Sequence, residues 1–141
     1  MNNRPRVGIG ALILNHKKEI LLGQRLGSHG EYMWGPPGGH LEFGESFENG
    51  IIREVWEETA IRIVNPQFIC VTNDFFVNEQ THYVSVLMMA TFPLDQVIKN
   101  CEPHKVKEWE WFALNNLPAE LFFPFKQFLS NKGYGIKMDQ L

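Results

Sequence analysis

Residues 46–60, Ser-Phe-Glu-Asn-Gly-Ile-Ile-Arg-Glu-Val-Trp-Glu-Glu-Thr-Ala, constrain the chain more than any other stretch. Ser46 is a good N-cap, and the apolar residues that follow recur at helical spacing. At about 100° per residue, Glu54, Glu57 and Glu58 fall within an arc of roughly 100°. Ile51, Ile52, Val55, Trp56 and Thr59 fall on the other side. Such a helix buries one face and turns three carboxylates outward. Like charges at this spacing cost a few tenths of a kcal/mol per pair in an exposed helix, roughly. A divalent cation removes that cost, because magnesium takes hard oxygen ligands from one or two carboxylates, waters and phosphates. A solvated acidic face is the other reading of the three glutamates taken alone. Arg53 is placed to orient a carboxylate through its planar fork. Glu45 can reach the same cation through water, or hold one of its ligands.

The segment before the helix, 27–44, is rich in glycine and holds Pro36-Pro37, so it is expected to be a loop of special backbone angles. Residues 7–14 are short and nearly all apolar, as in a buried strand. The polar turn 15–18 and the segment 19–24 complete an expected hairpin. Further strands are expected at 67–72, 82–92 and 107–112. Trp109 and Trp111 share a face of the last, and read as core. Leu117-Pro118 is expected to open a second helix running to about residue 131, with Gly133 beyond it. Strands with one helix in the middle and one at the end predict an α+β fold, a mixed sheet between helices.

The 141 residues predict one domain spanning 1–141. The formal net charge of −3, without a basic block, argues against a nucleic-acid polymer as partner. A small polyanion remains compatible, since a bound cation supplies the positive charge. Cys70 and Cys101 form no CxxC pair and read as reduced thiols of a cytoplasmic protein. The first residues contain no signal-like apolar run, and no apolar stretch is long enough to suggest a membrane span. His16, His29, His82 and His104 show no metal-ligand spacing.

The joint pattern goes further than the glutamates alone. Gly39, Glu45, Arg53, Glu54, Val55, Glu57, Glu58 and Ile61 match the Nudix box, G-x5-E-x7-R-E-U-x-E-E-x-G-U with U apolar, in register. Ala60 stands where the pattern has glycine. Arg4 to about Tyr134 is similar to the vertebrate MutT-like nucleotide diphosphatases that clear thiopurine nucleotides. The matching segments include Leu21-Leu22-Gly23-Gln24-Arg25, His82-Tyr83-Val84 and Glu108-Trp109-Glu110-Trp111. Trp34-Gly35-Pro36 and Pro124 depart from those relatives, which have Phe-Gln-Leu and glycine.

The resemblance implies a Nudix α/β/α sandwich, a Mg²⁺ cofactor with Mn²⁺ as a possible substitute, and a homodimer. It implies hydrolysis of (deoxy)nucleoside triphosphates to monophosphate and pyrophosphate, in housekeeping of the nucleotide pool. Glu54 and Glu58 match the principal metal ligands, Glu57 a further ligand or the general base, and Gly39 a backbone carbonyl ligand. Arg53 completes the catalytic set. Arg25 matches a phosphate-side arginine, Gly38 and Gly39 the substrate loop, and Phe122, Phe123 and Pro124 the wall of a base pocket, with Ser85 on the strand facing it. The aromatic residues can stack a base or pack the last helix, and His40 can meet substrate or serve the loop alone. Two alternatives stand beside the triphosphatase: a diphosphatase for nucleoside-diphosphate sugars or dinucleotides, and a non-catalytic nucleotide-binding module. Retention of every box glutamate weighs against the last.

Overall fold

The computed structural model describes residues 3–27 and 30–141, so His29 and the first two residues lie outside it. Eight strands and two α-helices follow in the order β1 (Arg6–Leu14), β2 (Glu19–Arg25), β3 (Trp34–Gly35), β4 (Gly38–His40), α1 (Phe47–Thr59), β5 (Gln67–Phe76), β6 (Thr81–Thr91), β7 (Val106–Ala113), α2 (Phe123–Leu129) and β8 (Tyr134–Gly135). A 3₁₀ turn covers Met138–Gln140.

The alternation of β1 explains the layers. Ile9, Ala11 and Ile13 point to one face and pack with Ile51 and Val55 of α1 and with Leu21. Leu12 and Leu14 point to the other and pack with Ile20, Leu22, Leu87, Phe125 and Phe128, under α2. A mixed sheet thus lies between two helices, the expected α+β sandwich.

Along one edge, β1 runs parallel to β6 from Arg6↔Tyr83 to Leu14↔Thr91. Its other edge is divided. Gly8 to Gly10 pair antiparallel with His40 to Gly38 of β4, and Ala11 N–H donates to the Pro37 carbonyl at 2.8 Å. β2 joins only at Leu14↔Ile20, then leaves to pair with β3 and β7. The expected hairpin is therefore a pivot from which two arms of sheet splay, and the site lies in the split between them.

Two helix expectations need adjustment. α1 starts as expected, with Ser46 Oγ accepting from Asn49 N–H at 3.0 Å. Trp56, however, is on the rim and not in the core: it is 46% exposed, with the Arg62 guanidinium 4.6 Å over its ring. α2 is shorter than the expected 117–131. Residues 117–122 are non-helical, with a bend at 119–120 and Leu121 bridged to Trp34; Pro124 takes the first turn, where its missing N–H costs nothing. Within the expected loop, residues 30–44 form β3 and β4, joined through Pro36-Pro37, with turns at 31–32 and 43–44. β5 runs past the expected 67–72 because its outer residues pair with Thr81 to Val84 of β6.

Ala60 closes α1 in the left-handed conformation, φ 61° and ψ 22°, with its N–H on the Trp56 carbonyl. The turn that the glycine of the pattern would make is made here by alanine, at a steric cost of about 1 kcal/mol or somewhat more. Ala60→Gly is expected to stabilise the fold by about 0.5–1 kcal/mol, net of glycine's larger unfolded-state entropy. Denaturant unfolding midpoints of the two proteins check this; an unchanged or lower midpoint would contradict it.

Candidate active site

A cavity of about 670 Å³ opens in the split of the sheet. Its inner wall is built of residues without bulk: Gly8 and Gly10 from β1, Gly23 from β2, Gly35 from β3, and Gly38 and Gly39 from β4. At four of them, Gly23, Gly35, Gly38 and Gly39, the space is already taken, most tightly at the two on β4. A Cβ on Gly38 would strike the Ile9 carbonyl, and one on Gly39 would land on the Glu54 carboxylate. The backbone of β4 is therefore pressed directly onto the acidic face of α1.

Arg53 organises that face. Its Nε and Nη2 grip both oxygens of Glu45, at 3.1 and 2.7 Å. Nη2 also donates to the His40 carbonyl at 3.0 Å. Nη1 reaches Glu54 at 3.0 Å and Glu57 at 3.3 Å. The expected two-pronged hold on a carboxylate is present, and its target is Glu45, which is further fixed by the Glu42 N–H at 2.8 Å. Hydrogen bonds from Arg53 and the Glu42 N–H hold the Glu45 carboxyl below its ordinary range, and the same pairing raises the Arg53 guanidinium. Gly50 in the middle of α1 makes this possible, since a Cβ there would come within 2.9 Å of Glu45 Oε1.

Glu54, Glu57 and Glu58 all line the cavity. Glu58 accepts from the Gly38 N–H at 3.1 Å. Burial, and then the nearby Glu54 carboxylate, push the Glu58 carboxyl well above its ordinary range. Burial raises Glu54 too, against the pull of Arg53. Glu57 is the most exposed of the three, at 48% for its side chain.

No group of three His, Cys, Asp or Glu side chains converges as a closed cation cage among the described residues. Magnesium does not require one; it keeps several waters and uses one or two carboxylates. Two carboxylates held at raised pKa beside each other, with a backbone pressed against one of them, suit a divalent cation. Glu54 and Glu58 would hold it, with the Gly39 carbonyl alongside.

Arg25 also lines the cavity, with its guanidinium 3.8 Å over the ring of Phe122. Burial lowers its pKa while Glu58 opposes the shift. Phe122, Pro124 and Ser85 also line the cavity. Phe123 instead meets the edge of Phe76, with centroids 5.6 Å apart. Trp109, read as core, both packs on the core and lines the cavity. His40 bonds Tyr83 through Nε2 and the phenol oxygen at 2.8 Å.

Three features escaped the sequence reading. Gly8 and Gly10 recur at period two in an otherwise bulky strand, a legible sign of an open face. Asp74 is a lone acid in an apolar strand, and it is fully buried. Its Oδ2 accepts from Ser85 Oγ at 2.6 Å and from Thr72 Oγ1 at 3.0 Å. Burial pushes the Asp74 carboxyl up, and these hydroxyls, with a smaller pull from Gln127, bring it partly back. Gly50 left no signal apart from its place inside a helix.

A glycine strand feeds a helix that turns carboxylates into the split of a mixed sheet, the arrangement expected of a hydrolase that acts on pyrophosphate bonds. The profile of the NUDIX domain matches residues 4–131, and the chain belongs to the Nudix family, which hydrolyses such bonds in nucleoside diphosphate derivatives, generally with divalent metal ions. A MutT Nudix hydrolase of Burkholderia pseudomallei superposes with a TM-score of 0.79 at 31% identity, over 85% of this chain and 92% of that one. A MutT protein of Methanosarcina mazei Go1 gives a TM-score of 0.72 at 27% identity, over 93% and 98%. The uncharacterized Nudix hydrolase YvcI of Bacillus subtilis is 38% identical over 85 residues, 60% of this chain and 53% of that protein. An RNA pyrophosphohydrolase of Orientia tsutsugamushi is 45% identical over 58 residues, 40% of this chain and 35% of that protein. The chain thus spans about half, or less, of these two curated relatives. No helix among the described residues is long and apolar enough to cross a membrane.

Two outcomes follow from this geometry. Arg53→Lys keeps the charge but not the fork, so Glu45 and Glu54 lose their shared anchor. Hydrolysis, or cation affinity by calorimetry, is expected to fall about 10–100-fold with the melting temperature little changed; wild-type values would show that charge alone suffices. The second concerns pH. Glu54 and Glu58 have raised folded values, so without cation their contribution to stability is present below the ordinary carboxylate range and is lost as pH rises toward the folded values. A divalent cation reverses this, since it binds the deprotonated pair. At a concentration about 100 times Kd it adds about 2.7 kcal/mol. The rise in melting temperature on adding MgCl₂ is therefore expected to grow as pH climbs above the ordinary carboxylate range, and to shrink in Glu58→Gln. A rise independent of both would contradict the assignment.

Proposed function

We propose that the chain is a Mg²⁺-dependent nucleoside triphosphate pyrophosphatase, converting (deoxy)nucleoside triphosphates to monophosphate and pyrophosphate. The observation that supports it best is the mixed lining of one cavity. Glu54, Glu57, Glu58 and Arg25 line it together with Gly8, Ser85, Phe122 and Pro124, and Arg25 stacks on Phe122. A phosphate chain suits the charged groups and a flat base the small and aromatic ones. The family resemblance to thiopurine-type diphosphatases supports the triphosphate.

When bound, the cation neutralises phosphate charge and makes a coordinated water more acidic. The chain's own groups do the rest. Glu57, exposed at the cavity and tethered by Arg53, takes the proton from the attacking water. Arg25, held flat against Phe122, stabilises charge on a phosphate oxygen. Arg53 keeps Glu45 and Glu54 in place. Phe122 and Pro124 flank the base; Phe123 supports them through Phe76. The homodimer rests on the resemblance alone, and a cytoplasmic location on the two free thiols of Cys70 and Cys101. A single domain over 1–141 is consistent with the span of the family match.

The test is release of pyrophosphate and phosphate, with Mg²⁺, from a panel of nucleoside triphosphates, diphosphates, nucleotide sugars and triphosphorylated RNA. Pyrophosphate from free triphosphates is expected, with kcat reduced roughly 10²–10⁴-fold in Glu57→Gln and Glu58→Gln. Turnover of a nucleotide sugar or of RNA ends in place of triphosphates would overturn the substrate, and full activity in both variants would overturn the roles.

A further inference from the structure

Ser85 occupies an unusual position on the cavity floor. Across one side of β6 it pairs with Thr72 of β5, and across the other with Gly8 of β1. Gly8 has no side chain to cover it; a Cβ there would lie 3.4 Å from Ser85 Oγ. Ser85 therefore lines the cavity beside Gly8 with its hydroxyl recessed between the strands, the residue being 5% exposed. On its other side it is engaged. Asp74, fully buried behind it, accepts a hydrogen bond from the hydroxyl at 2.6 Å. The same Asp74 oxygen accepts from Thr72 at 3.0 Å, so both hydroxyls point their protons at one carboxyl.

A serine hydroxyl has one proton and two acceptor lone pairs. With the proton committed to Asp74, only the lone pairs of Ser85 remain for a ligand. We propose that Asp74 is a specificity-positioning residue, which makes Ser85 an acceptor-only group and so selects nucleobases that turn an exocyclic amine toward the cavity floor. An exocyclic amine projects from the ring edge and can reach a hydroxyl recessed between strands; a carbonyl at the same place would face lone pairs and lose its hydrogen bond. Without Asp74 the hydroxyl would rotate to suit either. This rests on the reading of the cavity as a nucleotide site, and it adds the chemical rule by which that site sorts bases.

The experiment compares pairs of nucleotides that differ by one amine: guanine against hypoxanthine, adenine against unsubstituted purine, and cytosine against 2-pyrimidinone. Kd is measured by calorimetry with the monophosphates, and kcat/KM with the triphosphates where they turn over. The wild-type protein is expected to favour the amine-bearing member of at least one pair by about two- to tenfold, the value of one net hydrogen bond. Ser85→Ala is expected to bring that ratio close to one, and Asp74→Leu, which frees the hydroxyl, to do the same. Thr72→Val, which removes the companion bond but leaves Ser85 on Asp74, is expected to keep the ratio. Thermal melts establish that each variant is folded; if Asp74→Leu is not, Asp74→Asn takes its place with a reduced ratio expected. No preference in the wild-type protein, or a preference that survives in both Ser85→Ala and the Asp74 variant, overturns the proposal. Because the ratio is read in binding, failure of triphosphate hydrolysis would strike the proposed reaction and leave this measurement decisive.

Discussion

Arg53 sits where three parts of the chain meet. The loop before α1 reaches it through Glu45, β4 through the His40 carbonyl, and the acidic face of α1 through Glu54 and Glu57. Side chains this acidic, this close, repel one another unless a counter-charge stands among them. A guanidinium serves better than an ammonium, because its planar fork serves several oxygens at once and never loses its proton. With Arg53 in place the glutamates can crowd without the helix fraying, and the strand carrying Gly38 and Gly39 can lie against them. The arginine neutralises enough charge to let the face form, while Glu58, held by the Gly38 N–H, lines the cavity.

The second constraint is geometric. A strand has two edges, and β1 divides one of them between β4 and β2. The two neighbours cannot both follow it, so the sheet opens. Glycine lines that opening because backbone approaches backbone there, most closely at Gly38, Gly10 and Ile9. The gap admits a ligand between secondary-structure elements while the layers above and below remain closed by Ile51, Val55, Phe125 and Phe128, all fully or almost fully buried. Rigid framework and open site arise from the same pairing choice.

Much of this was legible in the residues. The period of α1 and its Ser46 cap located the helix within a residue at each end, since capping and amphipathic spacing are local properties. The box spacing marked Glu54, Glu57 and Glu58, and all three line the cavity. Tertiary effects escaped. Residues 117–122 have helix-compatible composition but are non-helical, with Leu121 bridged to Trp34. Trp56 falls at the margin of the apolar arc, where Arg62 covers it in place of the core. The split of the sheet could not be read from a hairpin signal, which reports the turn and not how far the strands stay together. Asp74 and Ser85 meet across a strand pair, a relation that depends on register.

The parallel pairing of β1 with β6 has a consequence for how the molecule assembles. Its partners, Arg6 with Tyr83 through Leu14 with Thr91, are separated by the glycine loop, α1 and β5. Closing so long a stretch of chain is entropically costly and slows the search for the native arrangement. α1 can begin to wind on its own, but Ile51 and Val55 have no surface to settle on until Ile9, Ala11 and Ile13 are held in the sheet. During synthesis, this edge of β1 must therefore wait for a partner made much later. An apolar strand left waiting is prone to pair wrongly. The glycines at positions 8 and 10, which open the mature cavity, also make that waiting strand less adhesive.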